Sequence, residues 1–118
     1  MSALDILEER LAGKVALLSV AGSLDATTYA SLQRTIDAAA SQGVRRFVLE
    51  LSRLEFISSA GISVLTSASQ AARSQGGGLV LLRLSPKIRQ ILEILCLLPF
   101  FSIADTRDGA MRMLGVSS

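Results

Sequence analysis

The chain has no histidine, a single cysteine, and five aromatic side chains among its 118 residues: Phe47, Phe56, Phe100, Phe101 and Tyr29. Each scarcity removes a class of chemistry. Without histidine there is no Ser-His-Asp or Cys-His nucleophile and no histidine-based metal site. General acid–base work near neutral pH would need a strongly shifted carboxylate or lysine. Enzymatic function is therefore not expected, and no metal or cofactor is implied. Cys96 has no internal disulfide partner, which suits a reducing compartment. Because it lies in the apolar run 94–98, it is expected to be a buried structural thiol. With so few aromatics, a core drawn from a chain that is 50% hydrophobic must be built from Leu, Ile, Val and Ala.

Charge of one sign is also scarce. The net charge is +2, the arginines are scattered, and no stripe combines basic and aromatic residues, so a nucleic-acid partner is not expected. No apolar run approaches the roughly 20 residues needed to cross a bilayer, so direct membrane insertion is not expected. The first residues carry Asp5, Glu8 and Glu9 in place of a basic start and an apolar stretch, and a cytoplasmic protein is the default. No linker, repeat or low-complexity tract divides the chain. One domain over 1–118 is expected, with its core at about 4–114.

The periodicity of what remains is informative. Leu4 and Ile6 alternate with polar neighbours, Gly13 marks a turn and residues 15–20 are a compact apolar run, giving two strands followed by a loop at 22–25. Tyr29, Leu32, Ile36, Ala39 and Ala40 share one face of a helix over 26–42, which Gly43 stops. Residues 44–51, with Phe47-Val48-Leu49, read as a buried strand. A second helix over 59–74 carries Ile62, Leu65, Ala68 and Ala72. Gly76-Gly77-Gly78 closes it before a strand at 79–84. These glycines precede a strand and lack the Lys-Ser/Thr pair of a P-loop, so they read as a turn. Ser85 as N-cap and Pro86 at the first helical position open a third helix, with Ile88, Ile91, Leu92 and Leu95 facing inward. A short strand fits 101–104. Thr106, with Asp108 in the first turn, caps a last helix carrying Ala110, Met113 and Leu114. Strands alternating with helices predict an α/β fold, a mixed sheet of about five strands with about four helices packed against it. The run 95–101 is expected to be buried as a helix end plus a strand; exposed, it would be a dimer or partner patch.

The segment Phe56-Ile57-Ser58-Ser59-Ala60-Gly61-Ile62 places two adjacent hydroxyls where a hydrophobic strand gives way to an amphipathic helix. The first-turn N–H groups of a helix lack partners and its dipole is positive there, so a phosphate attached at that point would be stabilised. The segment is a candidate phosphorylation switch. Serine is equally a preferred N-cap, and that role needs no function.

Taken in order, Val20-Ala21-Gly22-Ser23-Leu24-Asp25, Phe47-Val48-Leu49-Glu50-Leu51-Ser52, the 56–62 segment, the glycine turn, the Ser85-Pro86 helix start and Phe101-Ser102-Ile103 make the chain resemble the STAS-domain family, and within it the bacterial anti-sigma-factor antagonists. The resemblance runs over roughly residues 4–114. It implies that the unphosphorylated protein binds an anti-sigma factor, itself a serine kinase of the histidine-kinase-like ATPase class, and so releases a sigma factor. It further implies that phosphorylation of Ser59 weakens the complex and that a PP2C-type phosphatase reverses it. Some members have an aspartate where this chain has Ser58, which leaves Ser58 as an alternative acceptor. Another common aspartate corresponds to Glu50.

The implied partner surface comprises Asp25, Ser58, Ser59, Ala60, Gly61 and Ile62. Gly61 would admit a kinase loop or else serve helix packing, and Asp25 would line the same end of the sheet or else act as a solvated cap. Ser58 would shape the loop, cap the helix or accept phosphate. Ile62 and Ala60 would offer small apolar contacts, with core packing an equal role for Ile62. The alternative function is a non-switching STAS scaffold, or an accessory subunit of a larger signalling or membrane transport complex. A serine hydrolase is disfavoured, because neither a Gly-x-Ser-x-Gly elbow nor a histidine base is present.

Overall fold

The computed structural model describes residues 3–116. The outermost limits of the expected domain, residues 1, 2, 117 and 118, lie outside the described residues. The elements run β1 (Leu4–Leu11), β2 (Val15–Leu24), α1 (Tyr29–Ser41), β3 (Arg46–Glu50), β4 (Leu54–Ile57), α2 (Ser59–Ser74), β5 (Gly78–Leu82), α3 (Pro86–Ile94), β6 (Ser102–Ala104) and α4 (Arg107–Met113). Five strands form the path β1-β2-β3-β5-β6, with β1 antiparallel to β2 and the remaining neighbours parallel. This is the expected mixed α/β sheet with four helices.

The sixth strand, β4, is a departure from the expected five. It pairs with the C-terminal part of β2, so residues 22–24, expected as loop, are strand as well. β3 occupies β2 from Val15 to Ser19, and β4 resumes the same row from Gly22 to Leu24. The intervening turn is held by Glu50, whose Oε1 accepts bonds from the Ser52 N–H (3.1 Å) and the Ser52 hydroxyl (2.9 Å). Its Oε2 lies 3.5 Å from Arg83 beyond the end of β5.

Both sheet faces are covered, as a parallel sheet requires, but unequally. On one face Ala16, Leu18, Val20, Phe47, Leu49, Leu79 and Leu81 pack against Leu32, Ile36 and Ala39 of α1, Val64, Leu65, Ala68 and Ala72 of α2, and Ile88 and Leu92 of α3. On the other, Val15, Leu17, Val48, Val80 and Leu82 meet Ala110 and Met111 of α4. Aliphatic side chains thus supply nearly all the buried volume. Each fully buried Leu or Val contributes about 1.5–3 kcal/mol relative to exposure.

All four helices end in the same 6→1 and 5→2 hydrogen-bond pattern, with the residue after the C-cap left-handed. That residue is Gly43 (φ 92°), Gly76 (φ 86°) and Gly115 (φ 76°) for α1, α2 and α4, but Cys96 (φ 58°) for α3. The Cys96 N–H bonds the Glu93 carbonyl at 3.0 Å and the Leu97 N–H bonds that of Leu92 at 2.8 Å. The chain leaves the helical period there. Leu95 is the C-cap, its N–H still bonded to the Ile91 carbonyl at 3.1 Å, and because the helix stops at this residue both Leu95 and Cys96 are exposed. Both were expected inside, and both expectations fail for this reason. The run 95–101 is accordingly only partly buried: Leu97 and Leu98 are half-covered, Phe100 is exposed and Phe101 is buried. In the short α4 it is Ala110 and Met111 that reach the sheet, and Met113 faces out. Tyr29 opens α1 and is largely exposed, because a turn at 25–28 replaces the expected first helical residues.

Candidate functional site

The C-terminal ends of β2 and β4 lie side by side, with Leu24 opposite Ile57, so Asp25 and Ser58 leave the sheet as neighbours. The Ser58 N–H bonds the Leu24 carbonyl at 2.9 Å, and the Ser58 carbonyl accepts the first α2 bond from the Ile62 N–H at 2.9 Å. Ser58 is therefore the N-cap and Ser59 the first residue of α2. The helix bounds match those read from periodicity.

The two hydroxyls have different surroundings. Ser58 has the extended backbone of an N-cap (φ −98°, ψ 178°), yet its side chain caps nothing. Its Oγ is buried without a hydrogen-bond partner. Ser59 is exposed. No acidic residue occupies the first turn of α2, so the positive end of a 16-residue helix opens beside Ser59 with no counter-charge from the helix itself.

Gly61 is buried against the sheet. A Cβ placed there would stand 2.7 Å from Leu24 Cγ, 2.8 Å from the Leu24 carbonyl oxygen and 2.9 Å from Ile57 Cγ1. That contact is packing: it lets α2 press its first turn onto β2 and β4, and it takes Gly61 away from any incoming loop. Ala60 and Ile62 are half-exposed, with Ile62 also touching the core.

Asp25 organises the turn before α1. Its Oδ1 accepts bonds from the Thr27 N–H (2.9 Å) and the Thr27 hydroxyl (2.7 Å), while its own N–H donates to Thr28 Oγ1 (2.9 Å). These bonds, the Thr27 hydroxyl foremost, hold the Asp25 carboxyl below its ordinary value. A carboxylate stabilised in this way is a poor base. Of the named residues, Asp25, Ser58, Ser59, Ala60 and Ile62 thus gather at one end of the sheet, with Gly61 beneath them. Among the described residues no three acidic, histidine or cysteine side chains are grouped to hold a metal. No described helix is long and apolar enough to cross a membrane. Sequence reasoning missed Glu50 as the residue that positions β4 and hence α2. Its signal was present in the Glu50-Leu51-Ser52 spacing, an acid two residues before a hydroxyl.

Comparison with known proteins agrees with this geometry. The STAS-domain family model matches residues 8–110. A Bordetella bronchiseptica protein named as an anti-sigma factor antagonist, BtrV, is 36% identical over 89 residues, 75% of this chain and 77% of that one. Among solved structures, an anti-sigma factor antagonist from Mycobacterium paratuberculosis superposes with a TM-score of 0.79 at 24% identity, covering 96% of this chain and 95% of that one. The anti-sigma factor antagonist SpoIIAA superposes in its unphosphorylated form with a TM-score of 0.79 at 21% identity, covering 97% and 100%. The Bacillus cell fate determinant SpoIIAA in its phosphorylated form gives 0.72 at 21%, covering 92% and 98%.

Proposed function

Because the chain belongs to the STAS-domain family, we propose that it is an anti-sigma-factor antagonist, a non-enzymatic cytoplasmic protein acting as one STAS unit and switched by phosphorylation of Ser59. The observation that carries this reading is the contrast between neighbouring hydroxyls: Ser59 is open to a kinase at an uncapped helix N-terminus, and Ser58 Oγ is buried. The unphosphorylated form binds an anti-sigma factor that is also a serine kinase of the histidine-kinase-like ATPase class, and a sigma factor is released. The partner surface is Ser59 with Ala60, Ile62, Ser58 and Asp25 around it, Gly61 serving the same surface from below by fixing the helix. A PP2C-type phosphatase resets the switch.

The energetics suffice. A phosphoserine adds about −1.5 to −2 charges and three strong acceptor oxygens. A tenfold loss of affinity requires about 1.4 kcal/mol, within reach of the repulsion and desolvation of such a group inside an interface. The fold itself need not move, since the phosphate lies at the positive end of α2.

The test is phosphorylation by the cognate kinase with ATP, followed by intact-mass and peptide mapping of wild type, S58A and S59A. Wild type and S58A should each gain one phosphate on Ser59, and S59A none. Calorimetric binding to the anti-sigma factor should weaken at least tenfold on phosphorylation. Phosphate on Ser58 would move the site. No phosphate, with S59A and S59D binding the partner as wild type does, would make the protein a constitutive scaffold.

A further inference from the structure

The sheet face that carries α4 is only partly roofed, because α4 is seven residues long and packs on β5 and β6. Beside it, over the C-terminal ends of β3 and β5, lies a cleft of about 520 Å³, within the roughly 300–1,000 Å³ usual for small-molecule sites. Leu17 of β2 and Leu82 of β5 give it apolar lining, and its polar lining is Ser19, Glu50, Ser52, Arg53, Arg83 and Arg107. Three arginines against one carboxylate leave the lining with a net charge of +2.

These arginines are only loosely engaged by the protein itself. Arg107 reaches from α4 to Glu9 of β1 at 3.3 and 3.5 Å. Arg83 stands 3.5 Å from Glu50 and 3.3 Å from the Asp105 carbonyl. Arg53 belongs to none of the ion pairs among the described residues. Committed charge-assisted bonds run at about 2.7–2.9 Å, so all three guanidiniums keep donors for a ligand. Glu50 is occupied by its own turn, its Oε1 accepting from the Ser52 N–H and hydroxyl. Arg83 also has a left-handed backbone (φ 54°), held by a 2.9 Å bond from its N–H to the Ala104 carbonyl. A residue with a side chain adopts that conformation at a cost, and such strain concentrates at ligand sites. Glycine would make the same turn without strain; arginine adds a guanidinium to the cleft.

We infer that this cleft binds a small organic dianion, a phosphate monoester or a dicarboxylate, held by Arg53, Arg83 and Arg107 with its carbon skeleton against Leu17 and Leu82. Two negative charges match the net +2 of the lining, and the planar fork of a guanidinium binds carboxylate and phosphate alike in bidentate fashion. A monoanion leaves one positive charge unmatched, and a cation is repelled. Neither Asp25 nor any residue from Ser58 to Ile62 lines the cleft, so the site stands or falls independently of the switch.

Calorimetric titration of the full chain with succinate and with glycerol 3-phosphate tests this, at about 0.15 M salt so that diffuse surface attraction is screened. One or both should bind at a single site per chain, and the tighter of the two identifies the source of the charge. Monomethyl succinate, a monoanion of the same skeleton, should bind about tenfold more weakly than succinate. R53Q and R107Q should each lose about ten- to a hundredfold in affinity, as expected for hydrogen bonds to a charged group. R83G removes the guanidinium while suiting the left-handed turn, so it should keep the native circular dichroism spectrum and lose affinity to the same extent. R34Q makes the same charge change at an exposed position of α1, on the opposite sheet face, and should bind as wild type does. Binding of neither anion would overturn the proposal. Affinity retained in R83G, or lost as much in R34Q as in the cleft variants, would overturn it as well.

Discussion

Replacing Ser58 by alanine should not destabilise the protein, although the same change at an N-cap ordinarily costs about 0.5–2 kcal/mol. The usual cost comes from losing a side-chain bond to a first-turn N–H, and Ser58 makes none. Its Oγ is buried and unpaired, a state that costs about 1–3 kcal/mol for a polar group deprived of water. Removing it relieves part of that cost, and the residue is half-buried, so the expected change is between zero and a gain of about 1 kcal/mol. Ser85 is the internal control. Its Oγ accepts a bond from the Ile88 N–H at 3.4 Å and donates to the Leu54 carbonyl at 3.0 Å. S85A should therefore lose about 1–2 kcal/mol. Urea unfolding with a common m-value resolves the two, because a midpoint shift at constant m reports stability alone. A loss of about 1 kcal/mol or more in S58A, similar to S85A, would mean that Ser58 caps α2 after all. It would also remove the distinction between the two hydroxyls on which the assignment of Ser59 rests.

Three further outcomes follow from the packing and the turns. G61A should lose about 1–2 kcal/mol in chemical denaturation, since overpacking at three sub-3 Å contacts (about 1–3 kcal/mol) exceeds the helix-propensity gain of up to about 1; equal or greater stability would refute the close docking of α2. C96G should gain about 0.5–1 kcal/mol, the left-handed penalty of about 1–2 outweighing the entropic disadvantage of glycine, and a loss would show that Cys96 is not strained at φ 58°. Asp25 has a depressed carboxyl pKa in the fold, so its contribution is present above the ordinary value of 3.8 and disappears as pH falls through the lower folded value. The midpoint difference between wild type and D25N should shrink across that acid window, and a pH-independent difference would refute the attribution to ionised Asp25.

What the sequence disclosed and what it concealed have separate physical origins. The bounds of α2 were legible because a strand-type run, two hydroxyls and a period of 3.6 meet at one point. The α/β class was legible because the apolar segments are compact and regularly punctuated. β4 was not, because Leu54-Glu55-Phe56-Ile57 is too short to display a period, and its pairing depends on a turn set by Glu50 and Ser52. Cys96 and Leu95 were misplaced because the inward stripe of α3 was extended onto its C-cap and the left-handed residue beyond it, which is not glycine. Three of the four helix ends carry the expected glycine; the fourth hides the stop, and with it the exposed patch. At the site, the positions of Ser58 and Ser59 were readable, but the burial of one hydroxyl and the exposure of the other depend on how closely Gly61 lets α2 approach Leu24 and Ile57.

That close approach also decides how a charge at Ser59 should act. Two mechanisms would weaken a partner complex on phosphorylation: the first turn of α2 could be disrupted, or the turn could stay and present a repelling group. They predict opposite signs for S59D in the isolated protein. A carboxylate in the first turn of a helix is worth about 0.3–1 kcal/mol at low ionic strength, and α2 has no acidic residue there to compete. With Gly61 seated against Leu24 and Ile57, the turn has no need to open to admit it. S59D should therefore be as stable as wild type or more stable by up to about 1 kcal/mol, and less so as salt is added. The same variant should bind the anti-sigma factor at least tenfold more weakly. Stability that rises while affinity falls locates the effect at the interface. A fall in both, measured by urea midpoint and calorimetry on one preparation, would show that charge at Ser59 works by unseating α2.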